Sequence, residues 1–342
     1  MTSFFKLLPV LLIMGTGSVE AHSSRSEIDT SYISSYVRKL TGRVYMSQKY
    51  SRLRMNNSKM RLTYKPNTSL NLGVGATYES LTLNLAYGFG FLNPDHGQGK
   101  TKYLDLQSHL YSRHWVTDVY GQFYRGYYLK PQEIKSDSYY LRPDLKLRMV
   151  GASVYRLSNG ERFSYRAAFV QNEWQKKSAG SWLYGAEIYY GVIKADSALK
   201  PSVLAPEYTI EKVRFYKLGP GGGYAYTWVL NRHFFATGSL TANLNLTMSH
   251  EYADNQHETR LHVRPNVNYR AVLGYNSQLW NVNVSLVNSD VSLAGASRTE
   301  YLIRTGNYRL TIAKRFDPGK KLRKLAREKR RLLDSAKPNI NE

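Results

Sequence analysis

An all-β fold, and within it a transmembrane antiparallel up-and-down β-barrel, is predicted by three features of the sequence. The chain alternates apolar and polar residues twelve times between Asn57 and Phe316, about ten residues at a time, as does a strand with lipid on one side and water on the other. The cleanest copies set Leu83, Leu85 and Tyr87 against Thr82, Asn84 and Ala86, and Leu240, Leu244 and Leu246 against Thr241, Asn243 and Asn245. The second feature is an export signal: Lys6 supplies a positive start, Leu7 to Met14 a short apolar run, and Val19-Glu20-Ala21 a small-residue cleavage site. The third is aromatic clustering at strand ends, at Tyr78, Phe91, Trp115, Tyr127, Tyr128, Trp174, Trp182, Trp228 and Trp280, where amphipathic rings suit the headgroup level. A soluble β-sandwich also alternates, because one face of each sheet packs on a core; the export signal and the aromatics weigh against it.

The elements follow in order. Residues 1–21 are the signal peptide, and 22–57 are a periplasmic arm in which 28–40 suits a short helix and Arg43 to Met55 either arm or an extra strand. Strands are expected at 58–78, 81–92, 101–115, 116–129, 140–157, 163–174, 181–194, 211–230, 233–250, 260–276, 279–292 and 301–314, within a barrel spanning 58–316. Twelve is even, as single-chain bacterial barrels require. The tight turns disagree: up to Arg156 they follow odd strands of this series, whereas Leu230 to Arg232 and Asn276 to Gln278 follow even ones. Tight turns should share one side, so fourteen is the alternative count, with Ala195 to Lys212 and Arg43 to Met55 as the missing pair. The last strand, Asn307 to Phe316, ends on an aromatic as strands read by the barrel-assembly machinery do. A tail of 26 residues follows, with nine Lys/Arg and four Asp/Glu. Leu322, Leu325, Leu332 and Leu333 suggest a marginal amphipathic helix there, against the simpler reading of a solvated tail awaiting a periplasmic partner.

Composition limits function. The chain has no cysteine, so neither disulfide nor thiolate metal site arises. A net charge of +23 would suggest nucleic acid in a cytosolic protein. In an exported one the positive charge faces lipopolysaccharide, the lumen or the periplasm, and nucleic acid is not expected. Polar-face residues point to a charged, net basic lumen: Asp105, His109 and Arg113 on one strand, Asp118 on the next, then Arg148, Arg166, Arg264 and Arg270. Such a lumen, if open, favours anions and tolerates charge of either sign; the opposing reading is a wall-to-wall network in which Asp105, Asp118, Asp144 and Glu187 neutralise the arginines. No catalytic, cofactor or metal set assembles. Asp105 and His109 share a face but stand about 13 Å apart along a strand, and no Ser/His pair falls at the lipid boundary. Gly99-Lys100-Thr101 lacks the earlier glycine of a phosphate loop, and Gly219 to Gly223 runs into strand, where glycines suit a kink or a bulge.

Tyr64-Lys65-Pro66-Asn67, Leu72-Gly73-Val74-Gly75 with Tyr78, Lys100-Thr101-Lys102 with Asp105, Tyr120 to Tyr124 with Gly126-Tyr127-Tyr128, and Gly223 to Thr227 occur in an order that resembles an uncharacterised barrel family of Bacteroidota, domain of unknown function 4421. The resemblance runs from about Asp29 to Phe316. It implies an outer-membrane barrel of a Gram-negative bacterium, surrounded by outer-membrane lipid and lipopolysaccharide, and carries no known activity or site.

Overall fold

On strand 234–253 the leucines are outside and the asparagines inside: Leu240, Leu244 and Leu246 are more than half exposed, whereas Thr241, Asn243, Asn245 and Thr247 are buried. A soluble sandwich buries the opposite face. The computed structural model describes residues 28–324 and 328, apart from 58–59, 80, 254–255 and 296–298. The expected signal peptide and most of the basic tail lie outside the described residues; Lys320 to Lys324 are helical.

The strands are β1 (Ile33–Ser35), β2 (Leu40–Asn56), β3 (Arg61–Tyr64), β4 (Leu70–Tyr78), β5 (Leu81–Tyr87), β6 (Lys102–Tyr111), β7 (Trp115–Leu129), β8 (Tyr140–Leu157), β9 (Glu173–Gln175), β10 (Ala179–Lys194), β11 (Lys212–Leu230), β12 (Phe234–Ala253), β13 (Gln256–Asn276), β14 (Trp280–Ala294) and β15 (Glu300–Phe316). Two short helices, α1 (Pro131–Ile134) and α2 (Tyr165–Phe169), follow β7 and β8. Twelve strands form one antiparallel, curled sheet in the order β5-β4-β2-β15-β14-β13-β12-β11-β10-β8-β7-β6, with β3 attached to β2. First and last long strands close on each other, from Leu40 opposite Phe316 to Asn56 opposite Glu300.

The expected count of twelve stands, but its membership changes. Arg43 to Met55 lies in β2, so the sheet starts at Leu40 rather than at 58. The expected strand 58–78 is two strands, β3 and β4. The expected strand 163–174 is not in the sheet: Ser164 accepts from the Ala167 amide at 3.0 Å and caps α2, so its apolar residues turn inward rather than along a wall. Ala195 to Glu211 holds no strand. These exchanges bring the connections 79–80, 112–114, 231–233 and 277–279 to one end, beside Leu40 and Phe316, while the two-residue step from β12 to β13 lies at the other. That between β11 and β12 is tight because Asn231 and Arg232 both take positive φ, 49° and 65°, the backbone of a turn whose twist matches its strands.

The sheet's two edges, β5 and β6, are consecutive in the chain, and no ladder joins them among the described residues. Two other contacts span the gap between the two sides of the sheet. Lys65 and Tyr128 exchange backbone hydrogen bonds of 2.9 Å each way, which joins the β3 side to β7. Below, Lys49 of β2 reaches Asp105 of β6 at 3.0 Å.

Around the wall, Trp115, Trp182, Trp228 and Trp280 are exposed, as expected of interfacial aromatics. Trp174, Tyr127 and Tyr128 are not among them. Each is buried, Trp174 donating to the Arg232 carbonyl at 2.9 Å and stacking on His233. The run Gly219 to Gly223 makes no bulge: β10 pairs through it without a shift. Its glycines clear space, since a Cβ on Gly221 would lie 1.7 Å from the Asn243 side chain.

Candidate functional site

Segment 158–178 leaves β8 at the end that carries the chain termini and folds back into the lumen. Phe163 and Tyr165 pack with Val116, Tyr155, Leu157, Leu183 and Ala225 of the walls. Buried Glu173 accepts from Arg113 at 2.8 Å and from Ser164, with Arg166 3.9 Å away. Arg315 of β15 donates to the Gln171 carbonyl at 2.7 Å and to Asn276 at 2.9 Å. Strand β1 adds its ladder to β9. This segment is a stopper, bonded to the wall on several sides.

The connection 195–211 does the same at the opposite end. Leu199, Ala205 and Tyr208 enter an apolar core with Leu53 and Met55 of β2, Tyr64 of β3, Leu145 and Leu147 of β8, and Ile303 of β15. Tyr64 donates to the Leu199 carbonyl at 2.6 Å, Tyr208 and Tyr301 share a 2.8 Å hydrogen bond, and Lys200 donates to Thr299 at 2.9 Å.

Between the stoppers the lumen is polar. Asp118 of β7, fully buried, takes hydrogen bonds from Arg270 of β13 and from Tyr111 at 3.1 Å, with His109 Nδ1 at 2.5 Å. The Arg270 guanidinium is 5.8 Å from the rings of Tyr111, Tyr165 and Phe169, so it also reaches the 158–178 stopper. In a second cluster Glu187 of β10 accepts from Asn245, Asn266 and Asn268 at 2.8, 2.6 and 3.1 Å, and Lys217 donates to Asn266 at 2.6 Å. Buried charges demand such complete pairing. Gln122 of β7 is buried with neither amide atom hydrogen-bonded, and Asn243, Asn245 and Asn268 each keep one buried atom unbonded, so the polar matching of the interior is incomplete.

The eight lumen candidates therefore separate. Asp118, His109 and Arg270 meet, and Arg113 and Arg166 converge on Glu173. Asp105 joins Lys49 and Tyr124 rather than His109. Arg264 pairs with Glu300 at 2.8 Å, both partly exposed. Arg148 does not line the lumen. It faces outward, opposite exposed Phe123, while Leu147 and Met149 face in. The register shifts between Arg125 and Tyr127, at Gly126 with φ 91°, and a bulge reverses which residues point inward. Arg142 is inside above the bulge, so extending its phase to Arg148 crosses the reversal. Lys217 and Glu173 escaped the sequence reading because nothing local marks either one: Lys217 finds Asn266 of β13, and Glu173 finds Arg113, 60 residues earlier in the chain. Among the described residues no three His, Asp or Glu are placed to hold a metal ion.

The fold and its interior define a class: an antiparallel barrel-like sheet with apolar exterior, polar interior and a stopper at each end. The family described as Domain of unknown function (DUF4421) matches residues 27–316, and the chain belongs to it. No relative is found among curated proteins. Similar solved structures include the outer membrane protease OmpT from Escherichia coli (9% identity, 83% of this chain and 98% of that one, TM-score 0.36). Others are Neisserial surface protein A (8%, 80% and 97%, 0.23) and the P. putida toluene transporter TodX (6%, 82% and 91%, 0.23). At these identities and scores the likeness extends to no site or activity.

Proposed function

We propose that this protein is an outer-membrane barrel that acts by binding or as a structural element of the membrane, closed to solutes at rest and not an enzyme. The observation that carries this is the pair of stoppers: Ser158 to Ser178 packs on β7, β8, β10 and β11 and reaches β12, β13 and β15 through Ala168 and Gln171, and Ala195 to Glu211 packs on β2, β3, β8 and β15. The contacts of Asp118 with Arg270 add a bridge between β7 and β13 across the interior. In this reading the chain termini are periplasmic, the tail meets a periplasmic partner, and Phe316 ends the strand offered to the assembly machinery.

Purified protein in planar bilayers is expected to give no sustained ohmic conductance. Shortening both stoppers to Gly/Ser linkers should create one, and its anion preference should shrink between 0.1 M and 1 M salt, as the Debye length falls from about 10 to about 3 Å. A steady anion-selective current from the unaltered protein would overturn the closed reading in favour of a small-solute channel.

A further inference from the structure

The outward face carries an arrangement that isolated sheets avoid. Lys102 of β6 lies directly opposite Arg125 of β7, Arg125 opposite Lys146 of β8, Lys146 opposite Lys194 of β10, and Lys194 opposite Lys212 of β11. Five cations thus run side by side over five adjacent strands, near the barrel end away from the chain termini. Like charges placed directly opposite are destabilising. Only Asp196, 3.9 Å from Lys146 and itself exposed, pairs with the row among the described residues. The outward Arg148 lies in the next row.

A built cavity of the same sign stands at the same end of β2 and β15. It has a volume of 310 Å³ and is lined by Arg52, Arg54, Lys65, Lys130 and Arg304, with Glu133 as its one carboxylate. Glu133 is occupied: its two oxygens accept the Thr63 amide at 2.8 Å and the Lys130 amide at 3.2 Å. Arg304 is paired with Asp290 at 2.8 and 2.5 Å. Arg52, Arg54, Lys65 and Lys130 have no carboxylate partner among the described residues, and the Arg54 Nε is buried without a hydrogen bond.

The outward residues below the cavity descend in cross-strand pairs: Arg52 with Arg304, Tyr50 with Gly306, Gln48 with Tyr308, Met46 with Leu310, Val44 with Ile312. Eight residues from Arg52 to Val44 cover about 26 Å of strand, or about 20 Å along a membrane normal at a tilt of about 40°. On the membrane placement proposed above, the cavity thus lies at the depth of the far leaflet's headgroups, with the apolar pairs Met46–Leu310 and Val44–Ile312 below it.

We propose that the cavity and the cation row bind the phosphate groups of an amphiphile in that leaflet, its acyl chains lying on Val44, Met46, Leu310 and Ile312. A lipid occupant is favoured over a soluble anion because outward apolar residues lie directly below both sets of cations, Met46 and Leu310 below the cavity and exposed Leu104 and Phe123 below the row. The inference rests on the membrane placement above but not on the closed lumen, so a conducting barrel leaves it intact.

The test uses full-length protein refolded in neutral detergent, with heat-modifiable gel mobility reporting the folded barrel. Native mass spectrometry then counts bound diphosphoryl lipid A, the same glycolipid without phosphates, and inorganic pyrophosphate. Phosphorylated lipid should bind at least about ten-fold more tightly than either of the others, and should weaken by a similar factor from about 0.05 to 0.5 M salt as screening sets in. The triple variants Arg52→Gln/Arg54→Gln/Lys65→Gln and Lys146→Gln/Lys194→Gln/Lys212→Gln should each lose most of that binding. Removing three cations at the other end, Arg156→Gln/Arg232→Gln/Lys314→Gln, should not. Equal loss in this control, equal binding of the phosphate-free lipid, or equal binding of pyrophosphate overturns the proposal. Should a variant fail to show heat-modifiable folding, the wild-type salt and phosphate dependence decides, and insensitivity to either is fatal.

Discussion

Arg270 and Asp118 meet from strands β13 and β7 with Asp118 wholly buried, so each depends on the other for neutrality. Removing one partner strands a buried charge, which costs about 3–5 kcal/mol, whereas removing both can be near neutral. Arg270→Met should therefore lower the urea midpoint of the refolded protein by that order, and Arg270→Met/Asp118→Asn should recover much of it; equal losses in both would deny the pairing. The same burial corrects an expectation for this face. A water-lined lumen would accept Arg at Asn245 or Glu at Arg270, but Asn245 is fully buried on Glu187, so these changes should destabilise rather than alter ion preference. On the lipid side Leu244→Arg should cost about 2–4 kcal/mol near the bilayer midplane. Asn84→Arg, on exposed β5, should be tolerated best; refolding midpoints of the three variants give the order.

At the scale of elements, stability is unevenly spread around the wall. Strands β11 to β13 are 19 to 21 residues long and paired on both sides, whereas β5 has 7 residues and β6 has 10, each an edge. Unpaired edges open first. Hydrogen exchange should therefore be fastest at Leu83 to Tyr87 and at Tyr103 to Leu110, with β12 protected longest. Protection of β5 equal to that of β12 would mean that the β5/β6 seam closes by a full ladder.

For the molecule as a whole, an even number of wall strands returns the chain to its starting end, and Leu40 indeed pairs with Phe316. Both termini should then be periplasmic. A tag after Glu342 is expected to resist protease added to intact cells and to be cut once the outer membrane is opened. Cleavage on intact cells would reverse the orientation and put the cation-rich end in the periplasm.

Much of this architecture was legible from local pattern alone. Side chains alternate across a strand by geometry, so Leu240 to Ser249 disclosed which residues face out, and the run Arg260 to Arg270 disclosed its inward face, without knowledge of any partner strand. The twelve-strand count was legible too, although for partly compensating reasons. Alternation could not separate a wall strand from Phe163 to Trp174, because apolar residues inside a lumen obey the same two-residue rhythm while serving as a stopper. Nor could it follow a face past the bulge at Gly126, where a single irregular pair reverses every later side chain and sends Arg148 outward. Pairing partners were decided only by the tertiary structure: Arg270 with Asp118, Arg113 with Glu173, and the five-cation row. Each joins residues far apart in the chain whose meeting depends on strand order and register, and strand order and register are properties of the whole curled sheet rather than of any one segment.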